Sequence, residues 1–290
     1  MFTIIFLSFH SEKHIKRLIA NIEKKYPIIV IENSLNHDLK TELEKKFENV
    51  KVIVPSKNLG IPAGYNLGIK EAKTDLVKLT SADVEISNKS LNDLYECALK
   101  IKDFAILAPT YEDESIYKNY RIWNTKKFTS VLDNKLLAEY GIKEVDFAEN
   151  DFLINKRNFK NQDFFDENIF LYYETMDLCM KVRSANKKIY ISEKIKFKHY
   201  GSQSVSSEFS YNFSLSRSWH YNWSKFYYFK KNFGYFFALK KILPNLIRAV
   251  KNIIFCIISN KKEKLPFHKA ELFGGMASIL KRPSNYRPFE

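Results

Sequence analysis

The sequence predicts an α/β protein in which a mostly parallel sheet is flanked by helices and followed by a C-terminal helical tail. Short apolar runs of strand length alternate with segments of helical periodicity over the first half of the chain, which is typical of βαβ units. The apolar runs are continuous, as expected for strands covered on both faces. Near residue 208 the composition changes to aromatic residues mixed with lysine and arginine. We therefore expect an α/β domain over residues 1–207 and a basic, aromatic-rich helical tail over 208–290.

The first strands and helices follow one another in regular alternation. Residues 3–9 form a continuous apolar run. A second strand over 28–31 ends at Glu32, and a helix over 38–47 leads to a third strand over 50–54. This order predicts parallel pairing with right-handed crossovers.

The stretch of residues 56–85 is the most informative part of the chain. Asn58 and Gly60 stand at the start of a segment with helical periodicity, and a strand over 75–80 follows it. That strand leads to an acidic turn that contains Asp83. A carboxylate at the carboxyl end of a buried parallel strand lies where open α/β sheets bind their ligands.

The pattern is less regular after the acidic turn. Ser90 is expected to cap a helix, and further strands are predicted over 104–109 and 145–154. The segment 111–137 is aromatic, charged and poorly periodic, which indicates a hairpin or an insertion.

A second motif occupies residues 165–202. It begins with Phe-Asp-Glu at 165–167 and continues through an aromatic turn into Glu-Thr-Met-Asp-Leu-Cys at 174–179. It ends with His-Tyr-Gly-Ser at 199–202, after an expected helix and strand.

The two motifs together resemble the family 2 glycosyltransferases of the GT-A fold, including rhamnosyltransferase-like enzymes of bacterial glycan assembly. The matched part of the first motif is the spacing Asn58-x-Gly60-x-x-x-Gly64-x-Asn66-x-Gly68, followed by Asp83. The resemblance implies a GT-A fold and transfer of a sugar from a nucleotide-diphosphate donor to a hydroxyl of a glycan. It also implies a role in polysaccharide or cell-envelope synthesis and a divalent cation, Mn²⁺ or Mg²⁺.

The resemblance places the donor site at the ends of the first two strands, in the loop before the third helix and at the acidic turn. A carboxylate at position 32 can accept a hydrogen bond from the N3–H group of uracil or thymine, although the family more often has aspartate there. The residues expected to bind nucleotide or donor are Ser8, Phe9, Glu32, Asn58, Gly60, Asn66 and Asp83.

The same resemblance implies a metal site. A divalent cation between a protein carboxylate and the diphosphate neutralises the charge that develops on the leaving group. Hard cations prefer oxygen ligands, which suits Asp83, and manganese also accepts imidazole, which suits His199. The alternatives are a helix-capping role for Asp83 and a packed or surface position for His199.

An acceptor hydroxyl needs a carboxylate that takes its proton. The family usually assigns this role to a Glu-Asp pair, often to the second member, but Thr175 stands at that position here. The remaining candidates are Glu174 and Asp177, with Glu174 preferred as the base and Asp177 as a residue that fixes the start of the helix. Direct attack by the acceptor would invert the anomeric centre. The chain also has Asn150-Asp151 where the family usually has Gly-Ala, so the donor sugar is not inferred.

Composition limits the classes of partner. The chain has 290 residues, 45% of them hydrophobic and 28% charged, and a formal net charge of +14. This charge suits an anionic sugar donor or an anionic membrane surface, whereas dispersed cations without a recognisable motif argue against nucleic acid. Three cysteines without CxxC spacing argue against a zinc site and a disulfide framework. With no signal peptide and no uninterrupted apolar span, a cytoplasmic protein is expected.

The tail leaves two interpretations open. Residues 235–258 are apolar but carry four cations, and Pro244 is expected to kink or divide a helix there. The segment either lies in a membrane interface or packs as a helical pair on the α/β domain. The resembled enzymes often act on lipid-linked glycans, so peripheral attachment at the inner face of the cytoplasmic membrane is expected. The alternative function is a non-catalytic protein that binds a nucleotide sugar, a polyanion or an anionic membrane.

Overall fold

The architecture is taken from a computed structural model of the chain. It describes residues 1–101, 103–112, 118–123, 134–149, 151–159, 161, 163–200 and 210–288. The chain forms two compact units. The first comprises Met1–Leu59, Ala63–Phe165 and Leu178–Val205, and the second comprises Gly60–Pro62, Asp166–Asp177 and Ser206–Glu290. The second unit therefore includes two short segments that precede the predicted tail.

The first unit contains the predicted alternation of strands and helices. Its strands are β1 (Thr3–Ser8), β2 (Ile28–Glu32), β3 (Val50–Ile53), β4 (Leu76–Thr80), β5 (Val84–Glu85), β6 (Ile106–Tyr111), β7 (Tyr120–Arg121), β8 (Ile142–Glu144), β9 (Phe147–Ala148), β10 (Leu153–Asn155) and β11 (Ile189–His199). The helices before the tail are α1 (Glu12–Ala20), α2 (His37–Lys46), α3 (Gly60–Glu71), α4 (Asn88–Ile101), α5 (Asn134–Tyr140) and α6 (Glu174–Ser184).

Nine strands of the described residues form one sheet in the order β3-β2-β1-β4-β10-β6-β11-β5, with β8 paired to β11. Pairing is parallel from β3 to β4 and between β6 and β11. The strand β10 is antiparallel to both β4 and β6. Helices flank this sheet, so the predicted fold class, a mostly parallel α/β sheet of the GT-A type, is confirmed.

Strand faces and helix faces bury the apolar runs seen in the sequence. All five residues of β2 are buried, as expected for a strand covered on both sides. The helix α3 lies very close to β1, because a Cβ at Gly68 would stand 2.7 Å from Cγ2 of Ile5. The regular glycine spacing of the first motif therefore serves helix–sheet packing in addition to any contact with a ligand.

Three local predictions differ from the structure. The predicted strand over 145–154 is divided into β9 and β10, and Asp151 between them has a positive φ of 69°. The predicted cap Ser90 lies inside α4, and its N–H donates to the hydroxyl of Ser87 at 3.0 Å. Most of the segment 111–137, predicted as a hairpin or an insertion, lies outside the described residues, although β7 pairs with β9.

Three long helices make up most of the second unit: α7 (Ser210–Phe233), α8 (Tyr235–Ile258) and α9 (Leu265–Ile279). The helix α9 packs against α7 so closely that a Cβ at Gly274 would lie 2.1 Å from the carbonyl oxygen of Trp219. The helix α8 continues through Pro244 and is not divided there, contrary to one of the predicted outcomes. Within the described ranges, every helix is too short or too polar to cross a bilayer.

Candidate active site

The ends of β1 and β2 bring a serine and a glutamate side by side. Ser8 and Glu32 are register partners in the parallel pairing, and the backbone N–H of Asn33 donates to the carbonyl oxygen of Ser8 at 2.8 Å. Oε1 of Glu32 accepts hydrogen bonds from the backbone N–H of Ser34, at 2.7 Å, and from the Ser34 hydroxyl. The carboxylate predicted to meet a nucleotide base is thus held at a strand end.

Burial makes Glu32 an unusual carboxylate. The residue is fully buried, and burial raises its pKa above the ordinary value, although hydrogen bonds from Ser34 and Ser8 offset part of the effect. Within the part of the chain that the structure describes, Oε2 accepts no hydrogen bond. A buried acceptor of this kind is costly unless a ligand or another donor satisfies it, so an N–H group of a bound base would complete the site.

The loop after β1 has a constrained backbone. The N–H of Phe9 donates to the Ser11 hydroxyl at 3.3 Å, and the ring of Phe9 lies edge-on to His10 with centroids 4.6 Å apart. His10 has a positive φ of 49°. The half-buried Phe9 ring is therefore held in the turn that directly follows the Ser8–Glu32 pair.

The loop before α3 shows a role for Asn33 that the sequence did not indicate. The N–H of Leu59, the residue after the half-buried Asn58, donates to Oδ1 of Asn33 at 3.2 Å. Asn33 therefore anchors the Asn58–Leu59 loop to the end of β2. The only signal in the sequence was its place between Glu32 and Ser34.

Gly60 and Asn66 have structural roles as well. Gly60 has a φ of +75°, and a Cβ there would lie 2.5 Å from the carbonyl oxygen of Phe170 within the second unit. Both polar atoms of the Asn66 side chain bond the backbone of Phe165: Nδ2 donates to its carbonyl at 2.9 Å, and Oδ1 accepts from its N–H at 3.0 Å. The donor-binding role of Asn66 stays a prediction beside this structural role.

Asp83 and His199 lie next to each other although 116 positions separate them in the chain. Oδ2 of Asp83 and Nε2 of His199 are 3.6 Å apart. Antiparallel pairing of β5 with β11 places Val84 opposite His199, and the N–H of Tyr200 donates to the carbonyl of Asp83 at 3.0 Å. Both side chains retain some solvent exposure.

This pair fits a divalent cation in its donor chemistry. One carboxylate oxygen and one imidazole nitrogen are ligands that manganese accepts, and 3.6 Å allows both to approach one ion. The described residues contain no cluster of three or more His, Cys, Asp or Glu able to hold a metal. A cation at Asp83 and His199 would therefore take its other ligands from phosphate oxygens and water, as magnesium and manganese sites with nucleotides commonly do.

A buried polar network lies behind His199. The ring of Tyr111 stacks on that of His199, with centroids 4.8 Å apart and planes at 15°. The Tyr111 hydroxyl donates to Oδ2 of Asp151 at 2.8 Å, and the Thr80 hydroxyl bonds Oδ1 of the same carboxylate. Nζ of the fully buried Lys78 lies 3.6 Å from Oδ1 of Asp151. The departure from Gly-Ala at Asn150-Asp151 was the sequence signal for this network, but nothing pointed to Lys78.

The two candidate bases belong to the second unit and differ in their surroundings. Asp177 is nearly fully buried, and its carboxylate accepts hydrogen bonds from Lys231 at 2.7 Å and from Asn232 at 3.2 Å. Glu174 is the first residue of α6 and is also buried. Asp177 is thus held in an ion pair with Lys231 of α7, and the choice of Glu174 or Asp177 as the base stays a prediction.

The residues immediately before Glu174 adopt a rare backbone conformation. Tyr172 and Tyr173 have φ values of 68° and 66°, a region that large side chains seldom occupy. The Nε–H of Arg217 donates to the Tyr172 hydroxyl, and the ring of Tyr221 lies against both tyrosine rings. Such strain persists only where neighbouring contacts fix the backbone, and it is frequent at functional sites.

The arrangement of strands defines a fold class, the GT-A fold, which two solved proteins share. The fold resembles that of the mannosyltransferase PcManGT from Pyrobaculum calidifontis, solved in complex with GDP-Man and Mn²⁺, with a TM-score of 0.56 and 8% identity over 96% of this chain and 87% of that one. It also resembles residues 1–349 of TarS from S. aureus, with a TM-score of 0.51 and 16% identity over 96% of this chain and 80% of that one.

The sequence assigns the chain within that class. The chain belongs to glycosyl transferase family 2, which matches residues 3–180. It is 24% identical over 199 residues to the low-salt glycan biosynthesis hexosyltransferase Agl10 of Haloferax volcanii, covering 64% of this chain and 63% of that protein. It is 25% identical over 201 residues to the dTDP-rhamnosyl transferase RfbF of Shigella flexneri, covering 67% of each. The match thus spans about two thirds of each relative.

Proposed function

We propose that this protein is an inverting, metal-dependent glycosyltransferase that moves a sugar from a nucleotide-diphosphate donor to a hydroxyl of a glycan acceptor. The observation that carries the proposal is the approach of Asp83 and His199 to 3.6 Å at the carboxyl end of the sheet. The family assignment and the named hexosyl and rhamnosyl transferases among its relatives support the reaction class.

The donor is proposed to bind across the ends of the strands of the first unit. Glu32 accepts an N–H of the base, Ser8 and Phe9 border that position, and the Asn58–Gly60 loop contacts the donor. A low-dielectric, buried acceptor discriminates strongly between a base that offers an N–H there and one that does not, because the wrong base leaves the carboxylate unsatisfied.

Asp83 and His199 are proposed to hold Mn²⁺ or Mg²⁺ together with the donor diphosphate. The bound cation supplies Lewis-acid stabilisation of the charge on the departing nucleotide diphosphate. Tyr111 stacks on the His199 ring, and its hydroxyl donates to Asp151. These two contacts keep the His199 ring in place. The protein thus orients its ligands before the donor arrives, which avoids a reorganisation cost during the reaction.

Glu174 is proposed to take the proton from the acceptor hydroxyl as that oxygen attacks the anomeric carbon. Asp177 is proposed instead to fix the start of α6, and its hydrogen bonds with Lys231 and Asn232 support that role. One direct displacement inverts the anomeric configuration. The acceptor is proposed to be lipid-linked, and the enzyme to work peripherally at the inner face of the cytoplasmic membrane.

Donor binding in the first unit is tested with Asp83→Ala and His199→Ala. In the wild type, a nucleoside diphosphate is expected to raise the melting temperature only when Mn²⁺ is present. Either substitution should abolish this metal-dependent shift, because one of two protein ligands is lost. Asp93→Ala and His14→Ala are the matched controls, since both change the same residue types in the first unit and should leave the shift unchanged.

Glu174→Gln and Asp177→Asn separate the base from the structural carboxylate. Glu174→Gln should retain donor binding and lose turnover by roughly 10²–10⁴-fold, whereas Asp177→Asn should act mainly on stability. An unaltered metal-dependent shift in Asp83→Ala would refute the metal site, and wild-type turnover in Glu174→Gln would refute the base. Determination of the product anomer by NMR tests inversion directly.

A further inference from the structure

The helix α8 carries two apolar stripes on opposite sides. Its inward residues are buried, and the first two pack with Phe226 of α7: Ala238, Ile242, Ala249 and Cys256. A second set is spaced three, four or seven residues apart and is exposed to solvent. We call this set the outward stripe: Phe236, Leu243, Ile247, Val250, Ile254 and Ile258. Because a helix repeats every 3.6 residues, these six side chains share one face.

The exposure of the outward stripe is large for a folded protein. Phe236 is 84% exposed and Ile258 is 80% exposed, at opposite ends of α8. The helix α9 adds Phe273 and Met276, and Leu280 directly follows it; all three are exposed at helical spacing. An exposed apolar helix face of this kind is typical of a protein or membrane contact and is seldom left in water.

The charge of α8 and of the residues around it indicates which kind of partner binds the outward stripe. The helix α8 has four basic residues and no acidic residue. Residues 208–290 contain fifteen Lys or Arg and four Asp or Glu, so eleven of the fourteen net positive charges of the chain lie there. A second copy would bring two surfaces of the same charge together, which opposes association. An anionic lipid surface attracts the cations and accepts the apolar side chains.

We infer that the outward stripe of α8 docks in the plane of an anionic lipid monolayer. Lys240 and Lys251 follow the stripe along its border and reach the lipid phosphates, while the apolar side chains enter the boundary between headgroups and acyl chains. The charged positions within α8 keep the helix in the interface, because a spanning helix needs about 20 consecutive apolar residues. This inference gives the peripheral location proposed above a specific surface.

Vesicle co-sedimentation of the full chain tests the inference without donor, metal or turnover. The probe is phosphatidylcholine vesicles with and without phosphatidylglycerol. The wild type is expected to bind only when phosphatidylglycerol is present, and high salt should release it. Phe236→Ser/Ile258→Ser should lower binding at least tenfold without loss of stability, since both side chains are exposed. The matched control is Leu99→Ser/Ile122→Ser, which removes two exposed apolar side chains from the first unit and should bind as the wild type does.

The contribution of the lysines to binding and the depth to which α8 enters the lipid are measured separately. Lys240→Gln/Lys251→Gln should weaken binding roughly fivefold for each cation removed, whereas Lys24→Gln/Lys73→Gln should not. Phe236→Trp should show fluorescence quenched by brominated lipid, and Leu99→Trp should show no quenching beyond that of the wild type.

Two results would overturn the inference. The first is equal binding of the outward-stripe variant and the wild type. The second is a concentration-dependent dimer that the same variant dissolves, with no binding to vesicles. Because the assay contains no sugar donor, loss of transferase activity in Asp83→Ala leaves the vesicle result unaffected, and failure to bind vesicles leaves the transferase proposal unaffected.

Discussion

Removal of the carboxylate from Asp151 should destabilise the first unit more than any surface substitution. Lys78 is fully buried, and its ammonium group lies 3.6 Å from Oδ1 of Asp151 and 4.9 Å from the centre of the Phe197 ring. In Asp151→Ala the ammonium loses its counterion, and the hydroxyls of Thr80 and Tyr111 lose their acceptor. The uncompensated charge of the buried Lys78 is the main reason why the free energy of unfolding should fall.

The expected loss is about 3–5 kcal/mol, the usual cost of breaking a buried ion pair on one side. This corresponds to a fall in melting temperature of roughly 6–20 °C at about 2–4 °C per kcal/mol. The double variant Lys78→Met/Asp151→Ala removes both charges, and the cost that remains is the loss of hydrogen bonds to Asp151 and from Lys78 to the Leu79 carbonyl, each about 1–3 kcal/mol. It should therefore be more stable than Asp151→Ala alone.

Urea denaturation of the wild type, both single variants and the double variant completes a thermodynamic cycle. Lys89→Ala/Asp93→Ala is the matched control, because it removes an exposed ion pair from the same unit and should cause no measurable change. If Asp151→Ala were as stable as the wild type, or if the double variant were the less stable of the two, the reasoning about a buried ion pair would be refuted.

The same pair predicts a dependence of stability on pH. Burial lowers the pKa of Lys78 to about 8, although Asp151 offsets part of the effect. The unfolded chain keeps this proton up to about pH 10.4, so it binds more protons than the folded chain between the two values. The contribution of Lys78 to the free energy of unfolding therefore rises from about pH 8 to about pH 10.4. Lys78→Met should flatten the profile in that range, as followed by urea denaturation at a series of pH values.

Three further predictions concern other parts of the molecule. Burial raises the pKa of Glu32, so its contribution to stability falls as pH rises from its unfolded pKa near 4.3 through the raised folded value. Glu32→Gln should remove this slope and weaken nucleotide binding, as calorimetric titration with nucleoside diphosphates at several pH values would show. Gly60→Ala and Gly234→Ala both place an alanine at positive φ, but only Gly60 has a carbonyl oxygen 2.5 Å from the new Cβ. The Gly60 variant should thus lose about 1–3 kcal/mol more; equal losses in denaturant would contradict the packing argument. In the ion pair of Asp166 with Lys231, burial opposes both charges, but hydrogen bonds prevail and hold the pKa of Asp166 below, and that of Lys231 above, their ordinary values. Its stability contribution should be lost as pH falls through the lowered pKa of Asp166 and as pH rises through the raised pKa of Lys231. Lys231→Met should remove the loss at high pH, and an unchanged profile would exclude the ion pair as its source.

The order of strands and helices along the chain was enough to predict a mostly parallel sheet. The strands β1 and β2 were visible as apolar runs, because a strand covered on both faces has no polar side to interrupt it. The strand predicted over 145–154 was different. It contains a residue with positive φ, Asp151, and only β10 within it pairs, antiparallel, with β4 and β6. Apolar composition does not reveal where a strand is interrupted or in which direction it runs.

The sequence alone determined the fold class and the family. The alternation of strands and helices and the spacing of the two motifs are local features, and they can be read without knowing any distant contact. Only the tertiary structure decided which polar groups bond to one another. In the structure Asn66 forms hydrogen bonds with the backbone of Phe165, Asp177 accepts one from Lys231, and Asp151 forms an ion pair with Lys78. Each of these partners is more than 50 positions away in the chain. The burial that makes such pairs strong depends on packing around them, and a linear sequence does not contain that information.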